Sequence, residues 1–207
     1  MAKVEHPLQA LDNFLPPNTF SPIASLLQQY KVHLTITRSR KTVLGDYRNA
    51  HQNRNHRISI NGNLNQWSFI ITLLHELAHL LTFEKYGNRV QAHGIEWKQQ
   101  FSQLLAEFLA KKIFPTDVEE ELNASLHNPG ASTCAEDGLM RVLRKYDPAK
   151  DGHQLIEEIL PNQLFRLKDG KVFRKGERLR KRYKCEEVAT GKWYLFSPVF
   201  EVEILAN

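Results

Sequence analysis

The chain has 207 residues, which is enough for one sizeable hydrophobic core with a small addition. Hydrophobic residues make up 42% of it and charged residues 25%, a balance that is typical of globular proteins and excludes a disordered chain. No stretch approaches the roughly 18 predominantly apolar residues of a membrane-spanning helix, and no apolar leader stands at the N-terminus. We therefore expect a cytoplasmic protein that does not contact a membrane.

The formal net charge of +5 is unevenly distributed along the chain. Residues 166–184 contain ten Lys or Arg and two acidic residues, a local charge of +8, so the remainder sums to −3. A run of this kind is either a solvated face or a surface that binds a polyanion.

The first part of the chain predicts short helices followed by a small sheet. Two short helices, separated by a Pro-Pro pair, are predicted between residues 8 and 30. Apolar residues alternate with polar ones over residues 32–37 and again over 58–60, which is the pattern of half-buried strands. Between these strands we expect a turn near Gly45.

Two longer helices are predicted next. Residues 67–86 are apolar on most of the helical circumference, which indicates a core helix, with Asn65 as its N-cap and Gly87 as its stop. Residues 95–113 form an amphipathic helix that ends before Pro115.

The rest of the chain predicts a connecting segment and a second sheet. Residues 115–161 give no clear pattern apart from a short helix near 139–146, whereas glycine turns between aromatic residues after 162 predict antiparallel strands. The predicted fold is α+β, with a small sheet packed on the core helix and its neighbour, followed by a basic β-rich module. The predicted domain limits are 8–114, 115–161 and 162–207.

The core helix contains the pattern His75-Glu76-Leu77-Ala78-His79, or H-E-x-x-H. Residues four apart share one helical face, so His75 and His79 can bind one metal ion, and Glu76 can act as general base. With nine His and sixteen Glu in the chain, chance predicts roughly 0.03 occurrences of the pattern. The alternative, two core histidines without a ligand, would bury polar groups to no purpose.

A catalytic zinc takes three protein ligands, so a third residue is required. His93 is the candidate, because it precedes the next helix and Gly94 gives the backbone freedom to fold back over His75 and His79. Alternatively, His93 is a capping or surface residue, in which case Glu84 is a possible acidic ligand.

These motifs resemble the SprT-like metalloprotease family. In that family the H-E-x-x-H helix is followed by an H-G-x-E-(F or W) stretch, matched here fourteen residues after His79 by His93-Gly94-Ile95-Glu96-Trp97. Residues 44–47 and 58–60 resemble the strands that precede the family's catalytic helix, and the likeness spans about residues 8–114. The resemblance implies that His75, His79 and His93 bind one catalytic Zn²⁺ and that Glu76 is the catalytic base.

The resemblance also implies a protein substrate and a link to DNA, because Spartan-type members bind DNA and cut proteins crosslinked to it. Single-stranded DNA or a DNA-protein crosslink is the partner it suggests. Many bacterial members carry a C-terminal zinc ribbon with four cysteines, whereas Cys185 stands alone here. The two cysteines, Cys134 and Cys185, fit a reducing compartment, although they could pair.

The basic module supplies the candidate nucleic-acid contacts, since its run of positive charge also includes the aromatic residues Phe173 and Tyr183. The predicted contact residues are Arg174, Lys175, Arg178, Arg180, Lys181, Arg182 and Lys184.

Two other functions stay open at this point. The chain could be a non-enzymatic, DNA-associated module with a structural zinc, or a zinc hydrolase of small peptides or amides. A fourth protein ligand would favour the first, and activity on short peptides without a response to DNA would favour the second. The sequence fixes neither the substrate nor the oligomeric state.

Overall fold

The computed structural model describes residues 7–40, 43–127, 129–130 and 136–205. The chain forms two compact units, Met1–Asp147 and Pro148–Asn207. Helices and sheets are both present, which confirms the predicted α+β fold. The predicted domain limits stay predictions, as does the cytoplasmic location, and Cys134 lies outside the described residues. In the part of the chain that is described, no helix is long and apolar enough to cross a membrane.

The first unit contains three strands and five α-helices among its described residues. In chain order its elements are a 3-10 helix Leu8–Phe14, α1 Phe20–Gln29, β1 His33–Thr37, β2 Gly45–Arg48, β3 Arg57–Asn61, α2 Gln66–Tyr86, a 3-10 turn Gly87–Arg89, α3 Ile95–Ala110, α4 Thr116–Ser125 and α5 Asp137–Arg144.

The three strands form one sheet in the order β1-β3-β2. Strand β1 is parallel to β3, and β2 is antiparallel to it, with Tyr47 opposite Ile58. The turn expected near Gly45 is a bend at Leu44, and Gly45 itself begins β2, the strand that the resemblance of residues 44–47 implies. Sterics favour a glycine at this position, since a Cβ at Gly45 would lie 2.5 Å from Glu76 Oε1, so this glycine allows β2 to approach α2 closely.

Helix α2 is the central element of the first unit, as its apolar circumference predicts. It begins after Asn65, whose side chain accepts a hydrogen bond from the Ser68 backbone N–H at 2.9 Å, and it ends at Gly87 with φ of 62°. Both predicted ends are confirmed. Most apolar residues of α2, such as Phe69 and Leu74, are completely buried in a core shared with the sheet and α3.

Helices α4 and α5 complete the core of the first unit. They lie in residues 115–161, where the sequence predicts only one short helix. Helix α4 was missed because its polar sequence offers only two apolar positions facing the core, Val118 and Leu122, which are spaced i, i+4 and are both buried. Its Asp117 carboxylate accepts a hydrogen bond from the Tyr146 hydroxyl at 2.8 Å, which links α4 to the residues after α5.

The second unit is a six-stranded antiparallel sheet in the order β4-β9-β5-β6-β7-β8. Its strands are β4 His153–Leu155, β5 Leu164–Arg166, β6 Val172–Leu179, β7 Arg182–Glu187, β8 Trp193–Phe196 and β9 Glu201–Ile204. Phe165, Phe173, Cys185 and Val202 belong to its small apolar core.

Candidate metal centre

His75 and His79 lie on the same face of α2, as the four-residue spacing predicts. Their Nε2 atoms are 3.3 Å apart. The side chain of His75 is buried, with 4% of its residue surface exposed, whereas His79 is half-buried and lines an open cleft.

His93 joins this pair from the segment between the 3-10 turn and α3. The Gly94 backbone N–H donates to the Gln91 carbonyl at 3.0 Å, which closes a turn just before α3 begins. This turn brings His93 Nε2 to 3.3 Å from His75 Nε2. The structure thus brings together the three histidines that the sequence predicts as a set.

The three histidines fit a tetrahedral zinc ion. Four ligands at 2.0 to 2.1 Å from zinc are separated from one another by about 3.3 to 3.4 Å, and His75 lies 3.3 Å from each of the other two. All three ligand atoms lie within 4.8 Å of one another. Among the described residues no fourth His, Cys, Asp or Glu belongs to the group, so one coordination position stays open.

The electrostatic environment keeps these imidazoles neutral, which is the form that binds metals. Burial, and then the neighbouring His79 and His93, lower the pKa of His75 to about 3. Burial, and then His93, lower the pKa of His79 to about 4. Burial also lowers the pKa of His93. A neutral imidazole has one ring nitrogen with a free lone pair, and that nitrogen can bind a metal.

Glu76 is buried beside the histidines and held by strand β2. Its carboxylate accepts a hydrogen bond from the Tyr47 backbone N–H and fits into the space left by the missing side chain of Gly45. Burial, and then the Asp46 carboxylate, raise the pKa of Glu76 to about 8. A cation bound nearby would favour the ionised carboxylate.

Tyr47 and His56 form a second layer that the sequence did not predict. The Tyr47 ring stacks on His79, with centroids 6.3 Å apart, and its hydroxyl lies 2.9 Å from His56 Nδ1. His56 is buried, and its Nε2 lies 3.2 Å from Glu84 Oε1. Glu84 therefore pairs with His56 and does not belong to the histidine group. Local spacing gives no signal for these contacts, because they join a strand, a loop and a helix.

A cleft of about 630 Å³ opens onto the three histidines and Glu76. Strand β2, helix α2 and the segment 87–93 form its walls. Its lining combines apolar side chains, such as Val43 and Val90, with the carboxylates of Asp46 and Glu76. The cleft is open to solvent.

The predicted nucleic-acid contacts lie on β6, β7 and the turn that joins them in the second unit. Six of the seven are exposed or half-buried: Arg174, Arg178, Arg180, Lys181, Arg182 and Lys184. The prediction of Lys175 as a nucleic-acid contact is corrected, because the residue is 4% exposed and its ammonium donates to the Ile159 carbonyl. Strand alternation turns Lys175 inward beside Phe173, so it cannot contact a ligand at the surface.

An exposed tryptophan that the sequence did not single out as a contact lies among these charges. Trp193 on β8 is 53% exposed, and Lys184 Nζ lies 4.6 Å from the centroid of its ring. Lys184 and Trp193 come from adjacent strands, β7 and β8. The contact between Lys184 and Trp193 therefore results from the pairing of β7 with β8 and not from proximity in the sequence.

A core helix that carries two histidines and a glutamate, completed by a third histidine, defines a metallopeptidase-type domain with a candidate metal site. Residues 18–120 match the SprT-like family, and this part of the chain is a SprT-like domain. The match includes the sheet, α2, α3 and all three histidines. No solved structure matches the chain.

Proposed function

We propose that the chain is a zinc-dependent endopeptidase of the SprT-like type. The observation that carries this proposal is the convergence of three histidine Nε2 atoms beside the buried carboxylate of Glu76. Membership of the SprT-like family supports the same activity.

Three points favour a catalytic zinc over a structural one. Neutral imidazole is a good zinc ligand, and three such ligands at tetrahedral spacing match catalytic sites. Structural zinc sites usually have four protein ligands, whereas the group in the described residues has three. The group also opens into a cleft of about 630 Å³, where a substrate can reach it. The non-enzymatic alternative has no comparable support.

The reaction is hydrolysis of a peptide bond by an attacking water. Zinc, when bound by His75, His79 and His93, supplies Lewis acidity that acidifies this water and polarises the scissile carbonyl. Glu76 takes the proton from the water as it attacks, and then delivers it to the leaving amine. The Tyr47 backbone N–H and the space at Gly45 orient the carboxylate for both transfers. The walls of the cleft hold the substrate chain.

We also propose that the second unit binds nucleic acid, so that the substrates are proteins bound or crosslinked to DNA. The support is the run of exposed basic residues on β6 and β7 together with Trp193 and Lys184. Basic side chains attract phosphates, and each base stacked on an aromatic ring contributes about 1 to 3 kcal/mol. Single-stranded DNA offers both features.

Glu76→Gln tests the proposed activity. It should retain metal but reduce cleavage of a DNA-binding protein by at least about 100-fold, because the amide cannot accept the proton. Glu107→Gln, at an exposed position of α3, is the matched control and should cleave at the wild-type rate. The assay is run with and without single-stranded DNA, beside a short peptide substrate.

Each result has a definite meaning. Wild-type cleavage by Glu76→Gln would show that Glu76 is not the base. Zinc binding without cleavage in any condition would favour the non-enzymatic module. Cleavage confined to the short peptide, with no response to DNA, would favour the hydrolase of small peptides.

A further inference from the structure

Trp97 lies in contact with all three histidines of the candidate metal centre. Its ring centroid is 4.6 Å from that of His75, 5.3 Å from that of His79 and 4.7 Å from that of His93. The residue is completely buried in the first turn of α3. One indole therefore packs against two histidines from α2 and one from the preceding segment.

The second ring nitrogen of His75, Nδ1, lacks the hydrogen bond that the second nitrogen of a metal-binding histidine usually makes. A ligating histidine almost always donates its second ring N–H to a carboxylate, a carbonyl or a water, which fixes the orientation of the ring. His75 Nδ1 is buried without a hydrogen-bond partner, and so is Trp97 Nε1. The orientation of His75 must therefore come from packing.

Aromatic neighbours provide that packing. Trp97 lies against His75 with an interplanar angle of 59°, and Phe101, one turn later on α3, meets the His75 ring edge to face at 5.6 Å. Phe101 makes no such contact with His79 or His93 among the described rings. Among the described aromatic side chains other than the histidines themselves, only Trp97 contacts all three imidazoles.

The restraint matters because the three Nε2 atoms converge in only some orientations of the rings. His75 Nε2 lies 3.3 Å from Nε2 of both His79 and His93, and rotation of one side chain to another rotamer would separate them. A large, rigid indole fills the volume into which the rings would rotate. A site that is already arranged loses less conformational freedom when the ion binds.

We infer that Trp97 is a positioning residue that holds His75, His79 and His93 in their converged arrangement and thereby sets the metal affinity of the site. Packing against the indole replaces the hydrogen-bonded outer shell at His75. The inference rests on the proposed metal site. It concerns affinity and not the chemical step, since Trp97 is buried and does not line the cleft.

The test uses the full chain and the variants Trp97→Phe and Trp97→Leu. Phe108→Leu is the matched control, because Phe108 is an equally buried aromatic residue on the same helix without a ring contact to a histidine. Zinc affinity is measured by competition with a chelator, and thermal stability is measured without metal. All three variants should lose stability because each leaves a cavity.

The zinc affinities should differ among the variants. We expect the affinity to fall about 10-fold in Trp97→Phe and about 100-fold in Trp97→Leu, the range seen when outer-shell partners of metal ligands are removed. Phe108→Leu should bind zinc as the wild type does. Saturating zinc should restore the kcat of Trp97→Phe to within about twofold of the wild type, which a general loss of structure would not allow.

Three outcomes separate the two proposals. Wild-type zinc affinity in Trp97→Phe and in folded Trp97→Leu would overturn the inference while leaving the metal site intact. An equal loss in Phe108→Leu would also overturn it, because the effect would then be a general one. Absence of zinc from the wild type would instead refute the proposed function. If Trp97→Leu does not fold, the comparison of Trp97→Phe with Phe108→Leu decides.

Discussion

At the scale of single residues, the proposed chemistry depends on buried polar groups that have few hydrogen-bond partners in the protein. His75 and Glu76 are each 4% exposed on an otherwise apolar helix, and burying such groups costs free energy unless something binds them. Glu76 has the Tyr47 backbone N–H, whereas His75 has only the other imidazoles and aromatic rings. A bound cation would satisfy all three Nε2 atoms together.

The role of His93 gives a prediction at this scale. His93→Ala removes one of three ligands, so zinc affinity should fall by more than about 100-fold, a larger loss than removal of an outer-shell partner causes. His127→Ala, at an exposed position after α4, should bind zinc normally. Chelator competition measures both.

The same pair of variants can refute the assignment. If His93→Ala bound zinc as tightly as His127→Ala, His93 would not be a ligand, and the proximity of its Nε2 to His75 would have another cause.

At the scale of secondary-structure elements, the packing of β2 on α2 determines the geometry of the site. Gly45 and Tyr47 lie two residues apart on one face of β2, with Gly45 above Glu76 and Tyr47 above His79. A single strand thus contacts both the proposed base and a proposed ligand. The Tyr47 hydroxyl, held by His56, anchors the strand at its far end.

The close approach at Gly45 gives a prediction at this scale. In Gly45→Ala the new Cβ would lie 2.5 Å from Glu76 Oε1 and 2.8 Å from Thr72 Cγ2, so the carboxylate must move. We expect kcat to fall about 10-fold or more while zinc stays bound, because small displacements of a catalytic group are costly. Steady-state kinetics and metal analysis test this.

Gly62→Ala serves as the control for Gly45→Ala. Its Cβ would lie 2.7 Å from Ile36 Cγ2, so it introduces a comparable clash with an apolar side chain away from Glu76. Equal loss of kcat in both variants would show that the effect at Gly45 is general destabilisation.

Elements with strong periodicity could be predicted from the sequence, and those specified by tertiary contacts could not. Helix α2 was predicted with both ends, because its apolar pattern, Asn65 and Gly87 are local signals. Helix α4 has only two buried apolar positions, which is too few for a helical pattern. A glycine usually indicates a turn, whereas Gly45 lies in a strand and leaves space for the Glu76 side chain. The histidine set followed from spacing and from family resemblance. Tyr47, His56 and Trp193 make their contacts with residues of other secondary-structure elements, so no local sequence pattern indicates those contacts.

At the scale of the whole molecule, two units carry different physical properties. The first has a large apolar core around a polar site, and the second is a small sheet that contains the basic run 166–184. The inward position of Lys175 shows that the basic side chains of this sheet have two different environments. One lysine bonds carbonyl groups inside the unit, and the others face solvent.

The exposed charges give a prediction at this scale. Replacing Lys181 and Arg182 by Ala should weaken binding of single-stranded DNA and reduce the slope of log affinity against log salt concentration by about 1.4, at roughly 0.7 for each lost phosphate contact. Replacing Lys85 and Lys111 by Ala removes the same charge from the first unit and should leave the slope unchanged. Binding titrations at several salt concentrations provide the slopes. Equal slopes for both double variants would assign the binding to net charge alone.

The most direct test of the central claim is the zinc content and proteolytic activity of the purified chain, before and after treatment with a chelator. We predict one zinc per chain, cleavage of a DNA-binding protein, loss of this cleavage with the metal, and its recovery when zinc is returned. A chain that binds no zinc, or that cleaves equally well without it, would contradict the proposed function.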